Sequence, residues 1–327
     1  MTPRVTPVDT HLRLGPGAEF DALRGLLRQW GSIAVGIGDD AAVLDVPQGH
    51  RLVVSTDSSV EDVHFRRAWL TPQEIGWRSV QAALSDLAAM GAAPLGILVA
   101  LGVPASWRVD LGALAEGIGE AARAAGTLIV GGDVTDTTRL SLGITAMGHA
   151  TKPITRAGAR AGDTLFVTGA LGGPGAALAA WEGGGTPGEA HRARFARPVA
   201  RLAAGEWLAR SGAHAAIDIS DGLAGESSHI AAASNVRCVI DVDAVLCMAG
   251  VTPPDALSSG EEYELLVSAA PDDPAAFAAE FASAHDGLPL TIIGRVESTA
   301  RSSGEVVATR NGVQVPLTGA HDHFASR

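Results

Sequence analysis

The sequence predicts an α+β protein of two domains, residues 1–150 and 151–327. Three observations carry that expectation. The 327 residues suffice for two domains of ordinary size. Hydrophobic residues at 46% against 18% charged can build a substantial core. Strand-like and helix-like patterns mix in both halves without a strict βαβ rhythm, which favours α+β over one doubly wound sheet.

In the first half, Arg51 to Thr56 is a short β-branched run that reads as a strand. Thr71-Pro-Gln-Glu74 is a helix start: Thr71 caps, Pro72 suits the first turn and Glu74 closes a capping box. That helix should run toward Met90 and stop at Gly91. Leu95 to Leu101 reads as a buried strand, Val109 to Ala125 as a helix, Thr127 to Val130 as a strand entering Gly131-Gly132, and Leu140 to Gly148 as another strand. The segment Ala150 to Gly162, with Pro153, Gly158 and Gly162, is the expected boundary.

The second half opens with strand Thr164 to Thr168, a glycine-rich turn at Gly169 to Gly175, and a helix ending near Trp181. Glu182 to Glu189 (EGGGTPGE) reads as a surface loop. Helices are expected around Val199 to Ala209, Leu223 to Ser234 and Pro274 to Ala284. Strands are expected at Ala215 to Asp218, near Arg237 to Val242, and at Tyr263 to Ala269 and Leu290 to Val296.

Bulk chemistry removes several classes of function. A net charge of -12 is the wrong sign for an extended nucleic-acid surface. Cys238 and Cys247 lack zinc-ligand spacing and read as ordinary thiols in a reducing compartment, so a cytoplasmic location is expected. No apolar h-region follows Arg4, so no signal peptide is expected. The apolar stretch Val80 to Val103 is interrupted by Asp86 and Pro94, which argues against a membrane helix. Lys152 is the only lysine and no GxxxxGK[ST] loop exists, so a P-loop is excluded. Phosphate, if handled, must be held by metal ions, arginines and backbone amides.

The aspartates are the informative feature. Asp39-Asp40 follow a short apolar segment, and Ser55-Thr56-Asp57 ends a strand. Asp86 lies in an apolar helix, while Gly132-Asp133 and Asp218-Ile-Ser220-Asp221 follow strands. Singly, each reads as a cap, turn or internally bonded residue. Together they match Mg²⁺, a hard cation that takes one or two carboxylates plus water and phosphate oxygens. Several such ions on a triphosphate would need aspartates converging from different elements. His64, just after that first group, is a candidate phosphate contact, and Arg156 in the inter-domain segment is a candidate for ATP phosphates. Ser258-Ser-Gly-Glu-Glu-Tyr-Glu264 sets carboxylates before a buried strand, as a charged turn or as a site.

Read together, these segments resemble the thiamine-monophosphate kinase family. The resemblance rests on GIGDDAAVL (Gly36 to Leu44), STDSSVEDVHF (Ser55 to Phe65), LSDLAAMGAAP (Leu84 to Pro94), VGGDVTDT (Val130 to Thr137) and TRAGARAGD (Thr155 to Asp163). It continues through AIDISDGL (Ala216 to Leu223), SSGEEYELL (Ser258 to Leu266), IGRV (Ile293 to Val296) and HDHF (His321 to Phe324). It implies ATP-dependent phosphorylation of thiamine monophosphate to thiamine diphosphate. It also implies the two-domain fold shared with aminoimidazole ribonucleotide synthetase, with an N-terminal domain that dimerises and a C-terminal domain that completes the active-site cleft. By motif position, Asp40, Ser55, Thr56, Asp57, Asp86, Asp133, Asp218 and Asp221 would form the magnesium sites. Gly132, Asp133, Arg156 and Ser220 would contact ATP; His64, Glu261 and His321 would contact the thiamine phosphate; Asp57, Asp133 and Asp221 would be catalytic.

This chain departs from the family pattern in places. Asp62 stands where Gly is usual, Ser58 and Ser59 where apolar residues are usual, and His321 where a Tyr or Trp ring stacks on the substrate. The alternatives are another enzyme of the superfamily with a different phosphate acceptor, and a non-catalytic nucleotide-binding module. The VHF and GEEYELL segments fit the thiamine enzyme better, and the intact aspartate set argues for catalysis.

Overall fold

The computed structural model describes residues 18–37, 41–301 and 304–316. It divides into two compact units, Met1–Leu87 with Ala92–Lys152, and Ala88–Gly91 with Pro153–Arg327. Among the described residues no helix is long and apolar enough to cross a membrane.

The first unit contains α1 (Ala18–Trp30), β1 (Arg51–Val60), α2 (Pro72–Ala89, its last two residues in the second unit), β2 (Ala93–Gly102), α3 (Leu111–Ala124), β3 (Ile129–Thr135) and β4 (Ser141–Ala150). The capping box forms as expected: Glu74 N–H bonds Thr71 Oγ1 at 3.3 Å, and Thr71 N–H bonds Glu74 Oε2 at 2.8 Å. The strands form one sheet in the order β1-β4-β2-β3, antiparallel except for the β2/β3 pair that α3 connects. Successive strand residues face opposite sides of a sheet, and here the two sides differ. Val53, Ser59, Ile97, Val99, Leu101, Leu142, Ile144 and Ala146 share the buried side. On the other side Leu52 and Val54 are 51% and 54% exposed, beside half-exposed Leu98 and Met147.

The second unit contains β5 (Thr164–Thr168), α4 (Gly173–Glu182), α5 (Glu189–Ala196), α6 (Leu202–Arg210), β6 (Ala215–Asp218) and α7 (Leu223–Ser234). It continues with β7 (Val236–Asp241), α8 (Pro253–Ser258), β8 (Leu265–Ala269), α9 (Pro274–Ala284), β9 (Leu290–Ser298), β10 (Glu305–Arg310) and β11 (Val313–Val315). The strands make a seven-stranded sheet, β11-β10-β7-β9-β5-β8-β6. Over β5, β8 and β6 both faces are covered. Leu165, Val167, Ile217, Leu266 and Ile293 pack with Leu223 and Ile230 of α7; Phe166, Ala216, Leu265 and Val267 pack with Leu208 of α6 and Phe277 and Phe281 of α9. Double burial explains why these strands read as continuous apolar runs.

The sequence reading did not anticipate α1, α5, α8, β10 or β11. The helix α5 (EAHRARFA) is short and mixes charged with apolar residues, so local signals cannot hold it. Long-range bonds from Arg194 do. Strand β8 begins at Leu265 rather than Tyr263, because Glu261 and Tyr263 adopt positive φ, +63° and +53°.

Candidate active site

In the first unit, β1 delivers Ser55 and Asp57 to the side that α2 covers, in the rows of Ala146–Ile97 and Ile144–Val99. The Ser55 hydroxyl bonds the carboxylate of Asp86, a half-buried residue on an otherwise buried stretch of α2. Asp57 Oδ1 accepts the Ser58 N–H at 2.7 Å. Thr56 points the other way, its hydroxyl 3.2 Å from that of Thr145. Gly132 and Asp133 are exposed on β3. A side chain at Gly132 would meet the Val99 carbonyl oxygen at 1.9 Å, so only glycine admits this approach of β3 to β2. Strands β1 and β3 are the outer strands, separated by three spacings, about 14 Å along the sheet. Within one chain, Asp57 and Asp133 are therefore too far apart to bind one cation.

His64 sits on a loop fixed at several points. Glu61 Oε2 accepts the Trp107 indole N–H at 2.9 Å and the Leu140 N–H at 3.3 Å. The Arg67 guanidinium lies 4.2 Å over the Trp107 ring and bonds Asp110. Asp62 takes φ +64°, the left-handed conformation that glycine adopts without strain. The Val60 N–H donates to His64 Nδ1 at 3.1 Å. Since Nδ1 accepts, the ring proton belongs on Nε2, which makes His64 a donor suited to a phosphate oxygen.

In the second unit, β6 ends at buried Asp218 and the chain turns through Ser220 and Asp221 into α7. The segment Glu261 to Glu264 lies across that turn as a strap. Glu261 N–H bonds Ser220 O at 2.6 Å, Tyr263 N–H bonds Ile219 O at 2.9 Å, and Ile219 N–H bonds Glu264 O at 2.7 Å. The Tyr263 hydroxyl bonds the Glu261 carboxylate. Thus two motifs some forty residues apart in sequence, DISD and GEEYE, become one structure. Arg156 opens a short turn whose carbonyl accepts the Ser234 hydroxyl at 2.7 Å.

Glu226, Glu262 and Glu264 are buried acids; the sequence reading considered the last two only as part of the Ser258 to Glu264 run and gave none of the three an individual role. Glu264 accepts from Thr168 Oγ1 at 2.6 Å and from Arg201 Nε at 2.8 Å, and it pairs with Arg194. Burial alone would lower the pKa of Arg201, but Glu264 holds it above its ordinary value. Glu262 accepts from Gly172 N–H and the Ser259 hydroxyl, while its Oε2 has no hydrogen-bond partner among the described residues. Burial pushes its carboxyl up to about 7, against the opposing pull of Ser259 and Arg194. Glu262 and Glu264 carried a sequence signal, in the acidic run before β8, and Glu226 only a weak one, as an acid in the first turn of α7.

Asp40 and His321 lie outside the described residues. Among the described residues, no three His, Cys, Asp or Glu side chains converge at metal-binding distance. The donors nevertheless suit Mg²⁺. Ser55 with Asp86 is an all-oxygen pair, and among the described residues no lysine or arginine pairs with Asp86, Asp133 or Asp221. A cation that takes one or two carboxylates and completes its shell with water and phosphate needs no larger cluster.

The chain matches the models of AIR synthase related protein, N-terminal domain, over residues 38–150, and C-terminal domain, over residues 160–307. It is 36% identical over 294 residues to the thiamine-monophosphate kinase of Rhodopirellula baltica, covering 84% of this chain and 87% of that one. The chain belongs to the thiamine-monophosphate kinase family. The crystal structure of the family member from Stenotrophomonas maltophilia superposes with a TM-score of 0.78 at 34% identity, covering 92% of this chain and 98% of that one. AaThiL complexed with AMPPCP and TMP superposes with a TM-score of 0.73 at 27% identity, covering 97% and 100%. Two family departures acquire a structural meaning here. Asp62 occupies a backbone conformation that favours Gly, and Ser59 is only 7% exposed where the family pattern is apolar.

Proposed function

We propose that this chain transfers the γ-phosphoryl group of ATP to the phosphate of thiamine monophosphate, releasing ADP and thiamine diphosphate. The observation that carries the reading is the bonding of Glu261, an acceptor-side residue, onto Ser220, a nucleotide-side residue. An acceptor oxygen attacks the γ-phosphorus in line, and the bond to the ADP bridging oxygen breaks. The acceptor phosphate is already anionic near neutral pH, so no strong general base is required.

The work left to the protein is alignment of two polyanions. Nε2–H of His64, Glu261 and His321 orient the acceptor; Arg156, Ser220, Gly132 and Asp133 hold the nucleotide. Asp40, Ser55, Thr56, Asp57, Asp86, Asp133, Asp218 and Asp221 are the proposed Mg²⁺ ligands, several ions in all. Bound Mg²⁺ supplies neutralisation of the phosphate charge. Residues 1–150 are assigned nucleotide and metal binding and dimerisation, and residues 151–327 the completion of the site. A homodimer is supported by the exposed Leu52 and Val54 on the open sheet face and by the separation of Asp57 from Asp133, which a second copy could bridge. The reading places the enzyme in the cytoplasm, where its nucleotide substrate is made.

The test is purified protein with ATP, Mg²⁺ and thiamine monophosphate, followed by chromatography. Equal formation of thiamine diphosphate and ADP, abolished by EDTA, is expected. ATP bound without thiamine diphosphate formed would move the reading to another phosphate acceptor.

A further inference from the structure

Three residues assigned to the nucleotide and metal, Arg156, Ser220 and Asp221, surround one carboxylate that none of those assignments includes. Glu226 is 3% exposed in the first turn of α7. Its Oε1 accepts the Ser220 hydroxyl at 3.3 Å and the Asp221 N–H at 3.2 Å. Arg156 and His229 face it as favourable charges and Asp221 as an unfavourable one. A buried carboxylate costs several kcal/mol or more, roughly, unless cations and donors compensate it, so its place needs a reason.

The turn supplies that reason. Residues 220–222 carry no side-chain cap for α7, whose N-cap is Gly222. From one side the turn is held by the strap, through Glu261 N–H on Ser220 O at 2.6 Å. Gly260 lies so close that a Cβ there would meet Ser220 O at 2.6 Å. From the other side, among the described residues, Glu226 gathers both the side chain of Ser220 and the backbone of Asp221. The strap acts through backbone atoms that every residue has; Glu226 is the side chain on which the orientation of the turn depends.

We propose that Glu226 is a positioning residue, which fixes Ser220 and Asp221 for the nucleotide end of the reaction through those two hydrogen bonds. The inference rests on the function proposed above. Glu226 itself touches neither substrate. Loss of its acceptor lets Asp221 and Ser220 rotate, while Glu261 and His64 keep their supports. The effect therefore falls on ATP rather than on the acceptor.

The experiment compares Glu226→Ala, Glu226→Gln and Glu226→Asp. In Glu226→Ala, kcat should drop about 30-fold and the KM for ATP rise about tenfold, with the KM for thiamine monophosphate within about twofold of the parent. Glu226→Gln keeps an acceptor oxygen at the same reach and should restore kcat to within about threefold. Glu226→Asp keeps the charge but withdraws the carboxylate by one carbon and should fall between them. Calorimetry with Mg²⁺ and AMPPCP reads the same positions without turnover, and the affinity should weaken about tenfold in Glu226→Ala only. That arm remains decisive even if the parent protein forms no thiamine diphosphate. A folded Glu226→Ala with parental AMPPCP affinity overturns the proposal. So does equal damage to both KM values, or a Gln variant as impaired as Ala. Should the Ala variant fail to fold, the contrast between Gln and Asp decides alone: Asp as active as Gln overturns the proposal.

Discussion

Two populations of acids in this molecule are built oppositely. Glu262 and Glu264 are sealed in the second unit, with Arg194, Arg201, Thr168 and Ser259 arranged around them. Asp86, Asp133 and Asp221 are half-buried or exposed, and among the described residues none has an arginine or lysine partner. The first set holds short, irregular elements in place: it ties α5 and the start of α6 to the strap across Ser220. The second set leaves its charge to be neutralised by something the chain does not supply. The acids sealed in the second unit are paired by the protein, and the three aspartates proposed as ligands are not.

Substitutions separate these roles. The largest expected effect is on turnover: Asp57→Ala or Asp221→Ala should reduce kcat by about a thousandfold or more, with thermal unfolding shifted by only a few degrees, roughly. Near-parental rates in both purified variants would break the distinction at its catalytic end. Glu264→Ala is the mirror case. It removes the buried carboxylate from between two half-buried arginines and should cost about 3–5 kcal/mol in denaturant unfolding. A smaller loss than that from an exposed ion pair would show that the pair is not structural.

Glu262 gives the comparison a pH dependence. Its carboxyl is raised to about 7 in the folded chain from an ordinary 4.5. The folded state therefore holds this proton more tightly, and the associated stability is complete below pH 4.5 and lost as pH rises through 7. Arg194, Glu264, Ser259 and the Gly172 N–H face the group, with Cys247 nearby, so the loss arises chiefly from desolvating the ionised form. The two and a half units between those pKa values amount to about 3 kcal/mol across that window. Glu262→Gln should flatten that part of the stability profile; an unchanged slope would assign it to other groups.

The smallest effect concerns the acceptor. His64→Ala should raise the KM for thiamine monophosphate about tenfold and leave that for ATP unchanged. His64→Gln, which can place a donor near the position of Nε2, should recover more than His64→Asn, which matches Nδ1 instead. An effect confined to ATP would refute the assignment.

Much of the architecture was legible in residue order. Thr71 and Glu74 announced the start of α2, and 223–234 and 274–284 were read as helices at their observed ends. These are local signals: caps, prolines and period-matched apolar residues act within a few positions. The aspartates were legible too, because an acid at a strand end is conspicuous against an apolar background. Asp62 gave a subtler signal, its place in a loop where the family pattern has glycine, and the positive φ bears it out.

What the sequence did not disclose depends on contacts between distant positions. Helix α5 lacks a convincing local pattern and is secured by Arg194 reaching acids about seventy residues onward. Strand β8 gives up its first residues to the strained turn that lays Glu261 across Ser220. The sequence by itself determined the family, the fold class and the kinds of chemistry the chain can perform, because those are written in residue types and their short-range spacing. Only the tertiary structure decided which acids are paired and which stand open, that Asp57 and Asp133 occupy opposite edges of one sheet, and that Glu226 lies beneath the Ser220–Asp221 turn. Burial and partnership are properties of the packed chain, and the energy of a carboxylate is set by what surrounds it.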